Sequence, residues 1–156
     1  MTAAVIGTAA PKTAYLIGDE CTGCTACARS CPVFAISGEK GKRHYINTQR
    51  CVSCGVCGRV CPAGAVSDSG GKTCSPVKRA LWPKPRIDTE LCSACGICVQ
   101  DCTPHALSIS KPRSRGDIKV HAELSDPEKC VACSICEKHC PLGAVAMVPP
   151  AKEISQ

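Results

Sequence analysis

Large side chains are scarce in this chain. Aromatic residues make up only 3% of its 156 residues: Tyr15, Phe34, Tyr45 and Trp82. A core of ordinary size needs more bulk, so a chain this poor in it needs some other staple. Long apolar runs are missing too, which speaks against a membrane-spanning helix. Residues 1–14 are small and mildly apolar, with no basic lead and no twin arginine, so no signal peptide is expected there. The sequence also has no glycine-rich dinucleotide loop and no carboxylate pair at a meaningful spacing. Its four histidines, His44, His105, His121 and His139, are scattered. The chain therefore lacks the residues for an active site of its own.

Cysteine is what the chain has in excess, with 17 residues. Sixteen of them fall in four copies of one run, spaced C-x2-C-x2-C-x3-C. The first copy is Cys21, Cys24, Cys27 and Cys31, and the second is Cys51, Cys54, Cys57 and Cys61. The third is Cys92, Cys95, Cys98 and Cys102, and the fourth is Cys130, Cys133, Cys136 and Cys140. Three thiolates two residues apart can wrap one corner of a compact metal group only if the backbone curls tightly. The intervening residues suit that curl, being small: Gly23, Ala26, Ser53, Gly55, Ser93, Ala94, Gly96, Ala132 and Ser134. They also let backbone N–H groups approach sulfur. Pro32, Pro62 and Pro141 follow the fourth cysteine in three copies, and Thr103-Pro104 does so in the third. Proline suits a first helical turn, so Cys31, Cys61 and Cys140 are expected to open short helices. Thr103 is expected to alter the local hydrogen bonding near Cys102.

Other uses of cysteine fit less well. A structural zinc site takes four ligands, usually from two separated C-x2-C knuckles, and leaves the third cysteine of each run without a role. A disulfide framework needs an oxidising compartment, and an odd cysteine count sits poorly with it. Metallothionein-like storage is disfavoured because segments with strand-like and helix-like character separate the repeats.

The run resembles that of bacterial ferredoxins, which bind [4Fe–4S] clusters. Four copies make the chain similar to a polyferredoxin with four such clusters. The resemblance implies an α+β fold of two tandem dicluster ferredoxin-like modules, small and stapled by their clusters. It also implies that the fourth cysteine of each run ligates the partner cluster. The implied sets are Cys21, Cys24 and Cys27 with Cys61; Cys51, Cys54 and Cys57 with Cys31; Cys92, Cys95 and Cys98 with Cys140; and Cys130, Cys133 and Cys136 with Cys102. Cluster binding and folding are then expected to be one event.

The spacing between runs bears on the pairing. Nineteen residues separate Cys31 from Cys51, and 27 separate Cys102 from Cys130. The 30 between Cys61 and Cys92 include Gly70, Gly71, Pro76, Pro83 and Pro85, a linker composition. This favours an arm at 1–14, a first module at 15–70, a linker at 71–85, a second module at 86–148 and a tail at 149–156. A rival topology nests copies 2 and 3 inside a pair formed by copies 1 and 4. Two echoes flank the runs. An apolar residue lies five positions before the first cysteine in three copies (Leu16, Ile46, Ile87), while Leu124 lies six before in the fourth. An alanine follows each fourth cysteine at a distance of four: Ala35, Ala65, Ala106 and Ala144.

Cys74 has no cysteine neighbours in sequence and is expected to be a bystander thiol. Trp82 is expected to pack between the modules, with a docking anchor as the sharper reading. The formal charge is +6. Four oxidised clusters at about −2 each would turn this to roughly −2, so nucleic-acid binding is not expected. The basic residues of the linker (Lys72, Lys78, Arg79, Lys84, Arg86) and of the later loop (Lys111, Arg113, Arg115) read as a solubilising surface, or as a docking face for an acidic partner.

A cluster held by four cysteines has no open iron position. The resemblance thus implies single-electron transfer at low potential rather than catalysis. Four clusters suit a wire, so the expected role is the electron-transfer subunit of a cytoplasmic oxidoreductase complex. Its catalytic partner would be a tungsten or molybdenum enzyme (aldehyde- or formate-oxidising) or a hydrogenase. A flavoprotein or a ferredoxin would be the second redox partner, and self-association into a longer cluster chain is compatible with the pattern. The alternatives are a free ferredoxin shuttle and a cluster-based oxygen or iron sensor. The sensor lacks an output domain.

Overall fold

The structure is a computed structural model and describes residues 15–150. The proposed arm at 1–14 lies outside the described residues, as does the end of the proposed tail at 151–156. Every element is short. The strands are β1 (Leu16–Ile17), β2 (Ile36–Ser37), β3 (Tyr45–Ile46), β4 (Val66–Ser67), β5 (Lys84–Ile87), β6 (Leu107–Ile109), β7 (Ala122–Leu124) and β8 (Val145–Val148). The helices are α1 (Ala26–Ser30), α2 (Val56–Val60), α3 (Ile97–Gln100) and α4 (Ile135–His139). The class is α+β.

Each half of the chain repeats one plan. The outer strands pair antiparallel, β1 with β4 and β5 with β8. The inner strands form a hairpin, β2 with β3 and β6 with β7. Helix α1 packs on α2, and α3 on α4. Copies 1 and 2 therefore build one module and copies 3 and 4 the other; the nested arrangement is not what the chain adopts.

One local expectation changes. Each helix precedes the fourth cysteine rather than following it. Helix α1 ends at Ser30, and Cys31 is extended at φ −74°, ψ 113°. Cys61 and Cys140 behave alike. Proline crowds the residue before it out of the α region, so here it stops a helix instead of starting one. Register decides which apolar residue of the lead-in strand faces the core. In the first copy the core-facing residue is Ile17, 5% exposed and opposite Val66, while Leu16 is 62% exposed. Side chains alternate along a strand, so a one-residue shift exchanges inside for outside.

The alanine echo has a structural cause. The N–H of Ala35, Ala65, Ala106 and Ala144 donates to the sulfur of Cys31, Cys61, Cys102 and Cys140 at 3.3, 3.4, 3.3 and 3.2 Å. All four alanines are buried. The residue before each is left-handed: Phe34, Gly64, His105 and Gly143. The same N–H to sulfur bond survives at Cys102, so Thr103 does not disturb it. Its N–H, which proline lacks, is taken up by the Asp101 carbonyl at 3.1 Å.

The stretch expected as a linker is tied down. Thr73 forms a bridge with Ser67, and the Cys74 N–H donates to the Val66 carbonyl at 2.7 Å. Cys74 rests on Gly58 of α2, where an added Cβ would lie 2.8 Å from the Cys74 sulfur. Strand β5 begins at Lys84, inside that stretch. Trp82 is 4% exposed and packs with Val56, Val131 and Ala132, joining residues of both modules.

Candidate metal centres

The sixteen cysteines line four pockets. Site 1 is lined by Cys21, Cys24, Cys27 and Cys61, and site 2 by Cys31, Cys51, Cys54 and Cys57. Site 3 is lined by Cys92, Cys95, Cys98 and Cys140, and site 4 by Cys102, Cys130, Cys133 and Cys136. Each cavity thus collects three thiols from one run and the fourth from its partner run. Cys74 lines none of these four cavities.

Backbone handedness produces this convergence. The residues flanking the second cysteine of every run are left-handed: Gly23 and Thr25, Ser53 and Gly55, Ala94 and Gly96, Ala132 and Ser134. Two left-handed residues around one cysteine curl the chain, and the third cysteine then enters the short helix. A β-branched residue such as Thr25 at φ 65° is an outlier that the surrounding fold must hold in place. Backbone donors reach sulfur here too, from Ser53 to Cys51 and from Ala122 to Cys92, both at 3.4 Å.

Gly23 is the tightest of these positions. Ser53, Ala94 and Ala132 carry side chains at the equivalent place with φ near 54°, so handedness alone does not demand glycine. At Gly23 the loop between β2 and β3 closes over the turn, and the Gly41 N–H donates to the Gly23 carbonyl at 3.0 Å. An added Cβ would lie 2.5 Å from the Gly41 nitrogen and 2.6 Å from its carbonyl carbon, both backbone atoms that cannot swing away. Gly23→Ala is expected to cost at least about 1–3 kcal/mol by overpacking and to lower iron binding at site 1. Ala94→Gly, at the open equivalent, is expected to keep full iron content. Iron per chain and thermal stability of the two variants check this.

The electrostatics agree with the grouping. Burial pushes the Cys27 thiol up to about 11, and the neighbouring Cys21, Cys24 and Cys61 add to it. Burial likewise takes Cys57 and Cys136 up to about 12, reinforced by Cys54 and Cys133 respectively. Cys54, Cys98 and Cys133 are also raised, chiefly by burial. Apart from Arg59 beside Cys54, these crowded, desolvated thiols have little compensating positive charge, and bound iron is such a charge.

The donor set fits a polynuclear cluster. All four donors at each site are soft thiolates, the ligands that iron–sulfur clusters take. Among the described residues, no three His, Cys, Asp or Glu side chains draw together around a single ion; the cysteines instead ring a cavity. One wall residue escaped the sequence reading. His44 is 1% exposed and lines site 1, with Nδ1 3.1 Å from the Lys42 carbonyl oxygen and Nε2 without a partner among the described residues. By strand register its counterpart in the second module is Ala122, which lines site 3. Sites 1 and 3 thus differ in polarity. Only the pairing of strands reveals this, because the counterparts lie at different distances from their cysteines.

Fold and sites together define an iron–sulfur protein built from two dicluster modules. The family described as the 4Fe-4S dicluster domain matches residues 20–65 and 91–144, and the chain belongs to that family. Two such segments account for four [4Fe–4S] clusters. No curated protein matches the chain. Among solved structures it is similar to a chain of the formate dehydrogenase–heterodisulfide reductase–formylmethanofuran dehydrogenase complex from Methanospirillum hungatei. That similarity covers 90% of this chain and 62% of the other, at 22% identity and a TM-score of 0.34. This chain therefore spans less than two thirds of the length of that one. Among the described residues, no helix is long and apolar enough to cross a membrane.

Proposed function

We propose that this chain is the electron-transfer subunit of a larger cytoplasmic oxidoreductase. The observation that carries the reading is that all four sites are complete in cysteine. Each [4Fe–4S] cluster, when bound, takes up and gives back one electron. The sixteen cysteines at sites 1 to 4 would hold the clusters, and no iron would be left open to a substrate. The chain's own residues hold the four sites, bury most of their cysteines at least in part and donate backbone N–H groups to sulfur. Hydrogen bonds to sulfur and burial are the levers by which a protein sets cluster potentials. A catalytic partner of the tungsten or molybdenum aldehyde or formate type, or a hydrogenase, would stand at one end. A flavoprotein or ferredoxin would stand at the other, and head-to-tail association of copies would lengthen the conduit.

Anoxic purification with a tag tests this. The expected result is about sixteen irons per chain, from four clusters with four cysteines each, and stable co-purification with a catalytic subunit. A monomer with full iron that accepts electrons from many enzymes would make it a free shuttle instead. Zinc in place of iron would end the reading.

A further inference from the structure

The two modules meet at one junction, and its residues belong to sites 2 and 4. Arg59 lies on α2, two residues after Cys57. Its guanidinium donates to the Ala132 carbonyl at 2.7 Å and reaches the Val131 and Cys54 carbonyls at 3.4 Å. One side chain therefore spans the second cysteine of site 2 and the two residues between Cys130 and Cys133 of site 4. The guanidinium also lies 5.5 Å from the Trp82 ring centre, within cation–π range. Trp82 is fixed in turn, since its indole N–H donates to the Val77 carbonyl at 2.9 Å. The Val77 N–H donates to the Arg59 carbonyl at 3.0 Å, closing a loop of contacts. Cys54 and Cys133 flank this junction as partly buried members of the same packed group.

We propose that the Arg59–Trp82 clamp sets site 2 against site 4, so that the four sites run through space in the order 1, 2, 4, 3. The ends of the row are then sites 1 and 3, and these contain the two exposed cysteines of the chain, Cys24 and Cys95. Within each module the crossed fourth cysteines join site 1 to site 2 and site 3 to site 4. Spatial order thus departs from sequence order in the second half, and electron partners would dock near Cys24 and near Cys95 rather than near the junction. Arg59 is a positioning residue here: it touches peptide carbonyls and an indole ring, and it holds the two modules in register.

This inference rests on the proposed four-cluster reading, and the test separates the two. The full chain is loaded anoxically, its iron is counted, and reduced samples are examined by pulsed EPR for magnetic interaction between clusters. A chain carrying Cys27→Ala and Cys98→Ala retains sites 2 and 4 and is expected to show a strong interaction between them. A chain carrying Cys57→Ala and Cys136→Ala retains sites 1 and 3 and is expected to show isolated centres. Arg59→Glu in the otherwise intact chain is expected to keep its iron, weaken the interaction across the junction and enlarge the radius of gyration in solution scattering. If Arg59→Glu loads poorly, Trp82→Leu provides the same comparison. Interacting centres in the chain that retains only sites 1 and 3, or unchanged interaction and size in fully loaded clamp variants, would overturn the proposed order while leaving the electron-transfer reading in place. Too little iron in the unaltered chain would overturn that reading itself.

Discussion

Removing iron with a chelator under anoxic conditions is expected to unfold this chain. The helices have four or five residues, far short of the roughly 12–15 needed for even a marginal isolated helix in water. The sheets are two-stranded, with strands of two to four residues, and such ribbons are not stable by themselves. The buried side chains that cluster together form three small groups, and cysteines make up a large part of two of them. Without clusters, the four cysteine-lined pockets lose the groups that tie their walls together, a heavy loss for so small a fold. The expected readout is loss of most of the far-UV dichroism and of any cooperative urea transition. A metal-free chain that still unfolds cooperatively would contradict this account.

The thiols give that prediction a direction with pH. In the folded chain Cys27 is held at about 11, and Cys57 and Cys136 at about 12, above the ordinary value of 9.0. Burial raises them by disfavouring the charged form. For a metal-free folded form, the stability contributed by these neutral thiols is fully present below pH 9. It is lost as the pH rises towards 11–12, because unfolded thiols ionise first. Alkaline conditions should therefore not rescue the metal-free fold. Iron binding should release protons at neutral pH, which a weakly buffered titration measures.

Cys61→Ala is expected to empty site 1, whose other cysteines lie in the first run, and to leave its own triplet loaded. The loss should be about four irons of about sixteen, by cluster stoichiometry. Double variants make the test sharp. Cys27→Ala with Cys61→Ala should lose no more iron than either change alone, because both act on one site. Cys57→Ala with Cys61→Ala should lose about twice as much, because they act on two. If each run instead bound its own cluster, the two double variants would exchange results. Iron analysis and the EPR of the reduced chains decide between these outcomes.

The local chemistry was legible in the runs themselves. Sixteen cysteines at invariant spacing, with small residues between them, point to curled loops around a compact thiolate-bound cluster, and the left-handed pairs such as Ala94 and Gly96 show how the curl is made. The recurring alanine was visible as a pattern, but its cause, an N–H donated to sulfur from beneath a tight turn, required coordinates. The proline was misread because it satisfies two opposite rules: it can open a helix, and it can force the preceding residue out of one. Nothing in the sequence said which rule applied until the third cysteine was seen inside the helix. Leu16 and Ile17 are adjacent apolar residues, and the sequence does not announce which of them faces inward.

Number and kind of sites follow from near-neighbour spacing, and near-neighbour spacing is written in the chain. Which site lies next to which does not follow from it. That depends on a contact between Arg59 and Ala132, 73 residues apart, and on an indole seated among residues from both modules. The buried His44 facing the same cavity position as Ala122 in the other module is of the same kind. Contacts of this sort arise only when separate segments are brought together, because the energy that selects them exists only once the intervening chain has folded.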